Sequence, residues 1–595
     1  MNRIIIDIKA RSAVSIQEYG EPAFARHPDT EIVCITLKEP YVDPVFWIPY
    51  PLRPVGYEGL SDDQLSKLLF SNHFSAFNVE TKMYLWKYAL KKWLPHIAFP
   101  GPQYFDDLAA RAVRCGLPGN LHKLCKILSI PLLYESKSSV YMKALLNTRK
   151  TQDFPWRNLN ALVKHSIRTL LMEEKIARSL PDLSYKDQQE WILNWKINDR
   201  GIFVSKDAFC KKLNGIKRKY NAYKQELADI AGQRSAENNE ALLAFFREHG
   251  VRLYGFSEQE LQNAILHHPS GIVRKALELK KRLIQHNIPE YESVKNAICE
   301  DNRIRGTHKF YSSFTGNWSD RGNVLDKMGS KTGTPGKSSV EFLFPQLDIR
   351  IADWIAGENL FPRGKYPSVF DETKLPRAIK KTKDFESDRW LVEQMCQYDA
   401  PYRKFSFIPL LSFECEESIT EVIANWKAHH PKTLFFRNQI QQEAIDMLGG
   451  ADGHEIIIDK LRMFIMGRDL HIVLPSGRVL HYCSPRLKYD DTNSRYSLIV
   501  DGIISRGWKE REMYGGCFLK DIVTALRHDF LTACAIQIEK KGGCIVRISK
   551  DGISAEFDFI PNGFQQIYLP GWADGLFIQT LTAEIQHGGK NVAGH

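Results

Sequence analysis

The residues Gly336-Lys337-Ser338 complete part of a GxxxxGK[ST] pattern, the glycine-rich loop that cradles nucleotide phosphates. The pattern requires a glycine at position 331, where the chain has Lys331. The residues at 340–344 are typical of a strand, whereas a phosphate-binding loop leads into the N-terminus of a helix. A P-loop is therefore excluded, and 329–339 is predicted to be a polar, glycine-rich hinge.

The chain is predicted to form several domains, because 595 residues are more than one hydrophobic core usually organises. Residues 1–185 mix short strands with helices, and 186–300 is mostly helical. Strand and loop patterns return at 301–365, an irregular and then helical stretch follows at 366–465, and 466–595 combines strands with a helix over 521–539. This order predicts an α/β and α+β multidomain protein.

Composition narrows the class of protein. The net charge of +11 suits a polyanionic partner, and 43% hydrophobic and 25% charged residues are ordinary for a folded domain. Eleven cysteines without a CxxC pair argue against a disulfide framework or a zinc knuckle and favour a reducing compartment. Without a signal peptide or an apolar run of the ~18 residues that span a bilayer, we expect a cytoplasmic protein with no membrane segment.

Four stretches, in family order, resemble the motifs of family A DNA polymerases. They are DNRIRG at 301–306 with TGNWSDRG at 315–322, DIRIADWIAGE at 348–358, LPSGRVLHY at 474–482, and YGG at 514–516 followed by SKDG at 549–552. The N-terminal third resembles the 3′–5′ exonuclease domain of compact phage-type members, through IDIKA at 6–10, FNV at 77–79, and DDL at 106–108 followed by CGLPGNL at 115–121. The resemblance covers nearly the whole chain.

The resemblance implies a ribonuclease H-like exonuclease domain followed by a right-hand polymerase body. The implied domains are a degenerate exonuclease at 1–185, palm entry and thumb at 186–300, palm with TGNWSDRG and a degenerate motif A at 301–365, reduced fingers at 366–465, and palm with LPSGR, YGG and a degenerate motif C at 466–595.

Polymerase chemistry needs two divalent metals held by carboxylates on adjacent palm strands. The resemblance places one carboxylate at position 343, which is Leu343, and the other at Asp551, which Lys550 precedes where the family has histidine. A lysine about 4 Å from a divalent cation costs roughly 4 kcal/mol per unit of metal charge at an effective dielectric near 20. Asp348 and Asp353 lie beyond the strand and are weak substitutes. We expect no bound metal and no cofactor, with Mg²⁺ implied only if the polymerase is active.

The resemblance implies that the exonuclease centre has also lost acidic residues. Asp7 remains from its DxE pair, but Lys9 replaces the glutamate. The second motif has Lys82 in place of an acid, and the third has Thr169 where an aspartate is expected. Glu80 is a conceivable displaced ligand, although we expect it to face solvent.

Contacts to DNA are implied at eight positions. Polymerases hold the nucleic acid backbone through lysines, arginines and backbone amides. The candidates by resemblance are Lys295, Arg303, Arg305, Gly316, Ser319, Arg321, Gly477 and Arg478. The nucleotide-binding helix has Arg389 at the family's arginine, while Glu393 stands at its lysine, where a carboxylate would repel a triphosphate.

The leading hypothesis is a family A polymerase-like protein that binds primer–template or single-stranded DNA in replication without polymerase or exonuclease activity. It would serve an active polymerase or other replication proteins as an accessory or structural part of a phage-like assembly. Two alternatives stay open: an active DNA polymerase with relocated metal ligands, and a protein-interaction scaffold that uses the old polymerase cleft.

Overall fold

The computed structural model describes residues 3–70, 72–134, 156–268, 271–311, 313–320, 333–361, 385–407, 419–449, 455–490, 495–504, 507–560, 570–576, 581–587 and 590–591. The predicted contact Arg321 lies outside these ranges, as does part of the hinge. Within them the chain is a mixed α/β multidomain protein, as its sequence predicts.

The N-terminal unit is built on a five-stranded sheet. Its strands are β1 (Ile4–Arg11), β2 (Glu31–Lys38), β3 (Val45–Trp47), β4 (Phe74–Ala76) and β5 (Phe105–Asp107). Their order is β3-β2-β1-β4-β5; β2 is antiparallel to both neighbours, whereas β4 and β5 follow β1 in parallel. Because β1 is buried along most of its length, Asp7 lies inside the unit.

Among the described residues, α-helices accompany this sheet, and the last of them leads out of it. They are α1 (Ile16–Tyr19), α2 (Glu21–Arg26), α3 (Asp62–Leu69), α4 (Val79–Tyr84), α5 (Leu108–Arg114), α6 (Leu121–Ile127), α7 (Trp156–Ser179) and α8 (Tyr185–Arg200). Helix α7 packs on β1 and β2. Residues three or four apart on this helix share one face, which directs Ser166, Thr169 and Glu173 toward the sheet.

A helical unit follows, with a hydrophobic core of its own around Leu242, Phe246 and Leu277. Its helices are α9 (Lys206–Ala231), α10 (Gln233–Glu237), α11 (Asn239–Glu248), α12 (Glu258–His267), α13 (Ile272–Gln285) and α14 (Ile288–Ala297). Two short strand pairs are formed by residues that flank this unit in the chain: β6 (Ile202–Phe203) with β7 (Arg303–Ile304), and β8 (His308–Lys309) with β9 (Ser319–Asp320).

The central sheet joins distant parts of the chain around the largest core. It contains β10 (Ser338–Leu343), β17 (Cys544–Ile548), β18 (Gly552–Phe557), β19 (Leu581–His587) and β20 (Lys590–Asn591), in the order β17-β18-β10-β19-β20. Two apolar helices, α15 (Leu347–Ile355) and α19 (Gly515–Lys540), pack together against it. A strand thus begins at Ser338, which agrees with the exclusion of a P-loop, and α19 contains the helix predicted at 521–539.

A six-stranded antiparallel meander precedes α19. Its strands are β11 (Glu455–Ile458), β12 (Leu461–Met466), β13 (Asp469–Val473), β14 (Val479–Asp490), β15 (Arg495–Ile504) and β16 (Gly507–Met513). The LPSGR motif is the turn between β13 and β14, where the Gly477 amide donates to the Leu474 carbonyl at 2.9 Å. Gly477 has φ of +81°, a backbone conformation that favours glycine.

A smaller unit beside the central sheet contains, in the described part of 366–465, the helices α16 (Phe385–Gln397), α17 (Ile419–His429) and α18 (Pro431–Asp446). Val392, Phe405 and Trp426 make its core. In the described ranges the cysteines are free thiols, and no helix there is long and apolar enough to cross a membrane.

Candidate active site and nucleic-acid interface

The end of β10 offers no metal ligand. Leu343 is the last residue of this strand and lies opposite Gly552 of β18. The Phe344 amide donates to the Asp551 carbonyl at 2.7 Å, which fixes Asp551 in the turn beside the strand end. The two positions that the resemblance pairs are therefore adjacent in space, and they supply one carboxylate instead of two.

A second carboxylate reaches this place from the first turn of α15. Asp348 is buried, and Arg527 of α19 donates to it through Nη1 at 2.6 Å from Oδ1 and 2.7 Å from Oδ2. Gln394 donates to Oδ2 at 2.7 Å, and Lys550 Nζ lies 3.2 Å from the same oxygen. The chain itself thus supplies the positive charge that this carboxylate needs.

The charges around Asp551 belong to the same cluster. Burial raises the pKa of Asp551, and the charge of Asp348 adds to that effect, while Lys550 and Arg527 oppose it. Two carboxylates and two cations therefore share the site. Asp353, the other substitute considered from the sequence, accepts the Leu360 amide at 2.9 Å, and it is not among the residues that contact Asp348 or Asp551 in the described part of the chain.

A cavity of about 480 Å³ opens next to this cluster. Its walls come from α15, α16, α19, the β14–β15 strands and the 313–317 loop, and its polar lining includes Thr315, Asn317, Asp348, Gln394, Tyr398, Arg511, Lys520, Asp521, Thr524, Arg527 and Lys550. Arg527 is the residue that sequence reasoning missed. The sequence held one indication of its role: Arg527 lies seven residues after Lys520 on α19, and residues seven apart share a helix face.

The expected nucleotide-binding residues of α16 do not line this cavity. Arg389 is partly buried, with its guanidinium 5.2 Å from the Trp390 ring centroid. Glu393 is buried in the small helical unit, where it accepts from Trp426 Nε1 at 2.6 Å and lies 3.3 Å from His430 Nε2. The Glu393 carboxylate, which the resemblance places at the family's lysine, thus turns into the core of this helical unit and away from the cavity.

Arg478 is a buried network residue. Its Nε donates to Asp529 Oδ1 at 2.8 Å, its Nη1 donates to the Tyr311 hydroxyl at 2.6 Å, and Nη2 lies 3.5 Å from Glu190. Gly316 is buried against the same guanidinium, since a Cβ there would lie 2.6 Å from Arg478 Nη1. The phosphate contacts implied for these two residues do not fit their surroundings.

The remaining predicted DNA contacts differ in accessibility. Arg303 lies 3.2 Å from Glu556, and Arg305 donates to Asp301 at 2.8 Å; both guanidinium groups are largely covered. Lys295 is more exposed and lies 3.0 Å from Glu292. Gly477 is exposed at its turn, and the backbone of Ser319 lies in β9, while its side chain is outside the described part.

The two glycines of the YGG motif have a packing role. A Cβ on Gly515 would collide with the Arg437 carbonyl, and one on Gly516 would collide with the Tyr398 carbonyl. These close backbone approaches join the start of α19 to α16 and α18. The motif therefore explains how the small helical unit is held against the cavity.

The N-terminal unit has a comparable centre around Asp7. Lys9 Nζ lies 2.8 Å from Asp7 Oδ2, Lys82 Nζ lies 3.8 Å from Oδ1, and the Ser166 hydroxyl donates to Oδ2. Although burial opposes ionisation, the two lysines hold the pKa of Asp7 well below its usual value. The lysines identified from the sequence are thus the direct ionic partners of the surviving acid.

Three further residues named from the sequence or found beside Asp7 have surroundings of their own. The Thr169 hydroxyl donates to the His165 carbonyl at 3.0 Å. Burial and the charge of Asp7 raise the pKa of Glu173 to about 8. Glu80 is buried, not solvent-facing as expected, and it accepts from Asn194 Nδ2 at 3.1 Å.

Known proteins are similar to this chain in sequence and in fold. No family model matches the chain. It is 20% identical over 505 residues to a DNA polymerase of Bacillus phage SP02, covering 74% of this chain and 78% of the relative. Its fold is similar to the polymerase domain of Pol1 from M. smegmatis, solved in complex with DNA primer-template and dNTP, with a TM-score of 0.58 and 10% identity over 98% of this chain and 95% of the other. The resemblance to family A DNA polymerases that the motifs predict is thereby confirmed.

Proposed function

We propose that this protein holds primer–template or single-stranded DNA as a polymerase-like component of a replication assembly and has neither polymerase nor exonuclease activity. One observation carries the proposal: at both places where the resemblance requires clustered acids for metals, the carboxylates are bound by cations of the chain itself. Arg527 and Lys550 neutralise Asp348, and Lys9 and Lys82 neutralise Asp7.

These residues do not fit a two-metal site. Arg527 is almost fully buried and cannot easily move aside, whereas the Lys550 side chain is 52% exposed. A fixed cation about 4 Å from a divalent ion costs roughly 4 kcal/mol per unit of metal charge at an effective dielectric near 20. The obstacle is therefore chiefly Arg527, and not the lysine considered from the sequence.

We also propose the domain boundaries that the resemblance implies. The strand order β3-β2-β1-β4-β5, with β2 alone running against the others, supports a ribonuclease H-like domain at 1–185. The helical unit within 186–300 supports the thumb, the central sheet and meander in 301–365 and 466–595 support the palm, and the three helices in 366–465 support reduced fingers.

The DNA-holding surface includes the exposed face of α9 in the thumb. Lys211, Arg218 and Lys219 are all exposed on this helix, and positions 211 and 218 share one side of it. Such cations bind phosphates without reading sequence. They are better placed for this role than Arg303, Arg305 and Arg478, whose guanidinium groups are bound by carboxylates.

Fluorescence anisotropy with labelled primer–template and labelled single strand tests the proposal. We expect saturable binding whose logarithmic affinity falls linearly with the logarithm of salt concentration, as phosphate contacts require. Absence of binding to either DNA at moderate salt, with a folded protein, would contradict it.

A second candidate function is an active polymerase with a relocated ligand, and the position of Asp348 beside Asp551 favours it. Under this hypothesis Asp348 and Asp551 would be the two acids, and Asp348→Asn and Asp551→Asn would each abolish metal-dependent primer extension. If neither the native protein nor these variants extend the primer, the result supports the non-catalytic function.

A further inference from the structure

A cavity of about 600 Å³ lies apart from both centres, between the N-terminal unit and the β15–β16 hairpin. Glu80 of α4 and Asp107 at the end of β5 line one wall, and Trp508 and Ile503 of the hairpin line another. The carboxylates face a space large enough to hold solvent. Neither acid is among the partners of Asp7, which are Lys9, Lys82 and Ser166.

The two carboxylates are close enough to affect each other, and Asp107 is only partly satisfied. Asp107 Oδ1 accepts the Ala109 amide at 3.0 Å, the Ala110 amide also interacts with this carboxylate, Oδ2 has a long contact to Trp191 Nε1 at 3.4 Å, and Asp107 has no ion pair among the described residues. Burial, followed by the charge of Glu80, raises the pKa of Asp107 to about 7. Within the described ranges, a negative charge on the partly buried Asp107 is not compensated by an ion pair with a cationic side chain.

Asn194 of α8 supplies an independent indication of a ligand. Its side chain is fully buried, and its Nδ2 donates to Glu80 Oε1 at 3.1 Å. This bond fixes the amide orientation, because the opposite orientation would place two oxygens against each other. The Oδ1 atom, next to the same carboxylate, accepts no hydrogen bond within the described ranges. A buried acceptor left in this state costs about 1–3 kcal/mol.

We propose that Glu80, Asp107 and Asn194 Oδ1 bind a hard divalent cation of the Mg²⁺, Mn²⁺ or Ca²⁺ class. Carboxylate and amide oxygens are the donors that these ions prefer, and water in the cavity completes the coordination of such ions. A cation would neutralise the mutual repulsion of the acids and satisfy the amide oxygen. The site would tie α4, β5 and α8 together, and it does not depend on DNA binding.

Tb³⁺ luminescence tests this site directly, because Tb³⁺ accepts oxygen ligands and is excited by a nearby indole. Trp191 contacts Asp107, so an ion bound to that carboxylate lies beside the sensitiser. We expect saturable emission excited through tryptophan, displaced by Mn²⁺ or Ca²⁺. Glu80→Gln and Asp107→Asn should each weaken binding at least tenfold, while Glu21→Gln, which removes a carboxylate from the same cavity wall, should leave it within twofold.

The same variants distinguish loss of the bound ion from loss of folding. Asparagine at 107 preserves the N-cap of α5, because it accepts the Ala109 amide as aspartate does. Circular dichroism should show intact Asp107→Asn protein, and Mn²⁺ should raise the unfolding temperature of the native chain but not of this variant. Emission unchanged by both Glu80→Gln and Asp107→Asn, or folded native protein without saturable emission, would overturn the proposal and leave the DNA-binding function untouched.

Discussion

Arg527 Nη1 lies 2.6 Å from Asp348 Oδ1, and both groups are buried beside Asp551. The ion pair converts what could be part of a metal-binding centre into an internally neutralised cluster. Lys9 and Asp7 form a corresponding pair in the N-terminal unit, at 2.8 Å. In both centres, a basic side chain of the chain itself therefore neutralises a buried carboxylate.

Removal of Arg527 should be costly, because it leaves Asp348 buried with a half-exposed lysine as its remaining cation. We expect Arg527→Ala to destabilise its unit by about 3–5 kcal/mol, as removal of one partner from a buried pair does. The matched control is Lys550→Ala, which should cost less than about 1 kcal/mol because that lysine is half-exposed. Denaturant unfolding of the two variants measures the difference, and equal small effects would contradict the assignment of Arg527 as the fixed cation.

Arg478→Met should impair folding and leave phosphate binding unchanged. The substitution leaves Asp529 and Glu190 buried without their guanidinium, at an expected cost of about 3–5 kcal/mol. Thermal unfolding should show this destabilisation, and the salt dependence of DNA affinity, measured where the variant is folded, should not change. Arg468→Met removes an exposed cation from the same meander and is the control for net charge. A lower salt dependence in Arg478→Met alone would restore the role inferred from the sequence.

Substitution of the α9 cations should weaken DNA binding, because these side chains would no longer neutralise phosphates. For the triple variant Lys211→Ala, Arg218→Ala and Lys219→Ala, the salt slope should fall by about 0.9 for each phosphate of duplex DNA that is no longer neutralised. A second triple variant, Lys67→Ala, Lys91→Ala and Lys126→Ala, removes the same charge from the exposed surface of the N-terminal unit. Equal decreases in both triples would show that net charge, and not the α9 face, governs binding.

Glu173 should make stability depend on pH. Its pKa is about 8 in the folded chain, mainly because of burial, against a value of 4.5 when exposed. Stability from this group is complete below about pH 4.5 and is lost as pH rises toward 8, so Glu173→Gln should stabilise increasingly across that window, by up to about 5 kcal/mol. Thermal unfolding between pH 5 and 8 measures the gain. Glu174→Gln, which removes the partner of Lys38 and Arg178, should show no comparable increase.

The sequence predicts the fold well where patterns are local and motifs are dense. The apolar run of β1, the LPSGR turn and the helix after YGG are all formed by short-range rules of turn chemistry and periodicity. The absence of the acid at Leu343 and the presence of lysines at Lys9 and Lys82 could likewise be predicted by resemblance. These features need no knowledge of which distant residues meet.

The direction of side chains could not be predicted in the same way. Glu393 turns to His430, Arg478 to Asp529, and Glu80 to Asn194, in each case because a partner far along the chain lies behind the residue. Tertiary partners decide whether a charged residue faces a cleft or a core. Arg527 was missed for the same reason, since its importance depends on Asp348, which is 179 positions away.

A primer-extension assay distinguishes a DNA-holding protein without catalysis from an active polymerase. A labelled primer–template is incubated with the protein, all four dNTPs and Mg²⁺ or Mn²⁺, alongside Asp551→Ala and a parallel measurement of binding. We expect the native chain to bind the primer–template without lengthening or shortening the primer in either metal. Extension that requires metal and disappears in Asp551→Ala would contradict the account and identify an active polymerase.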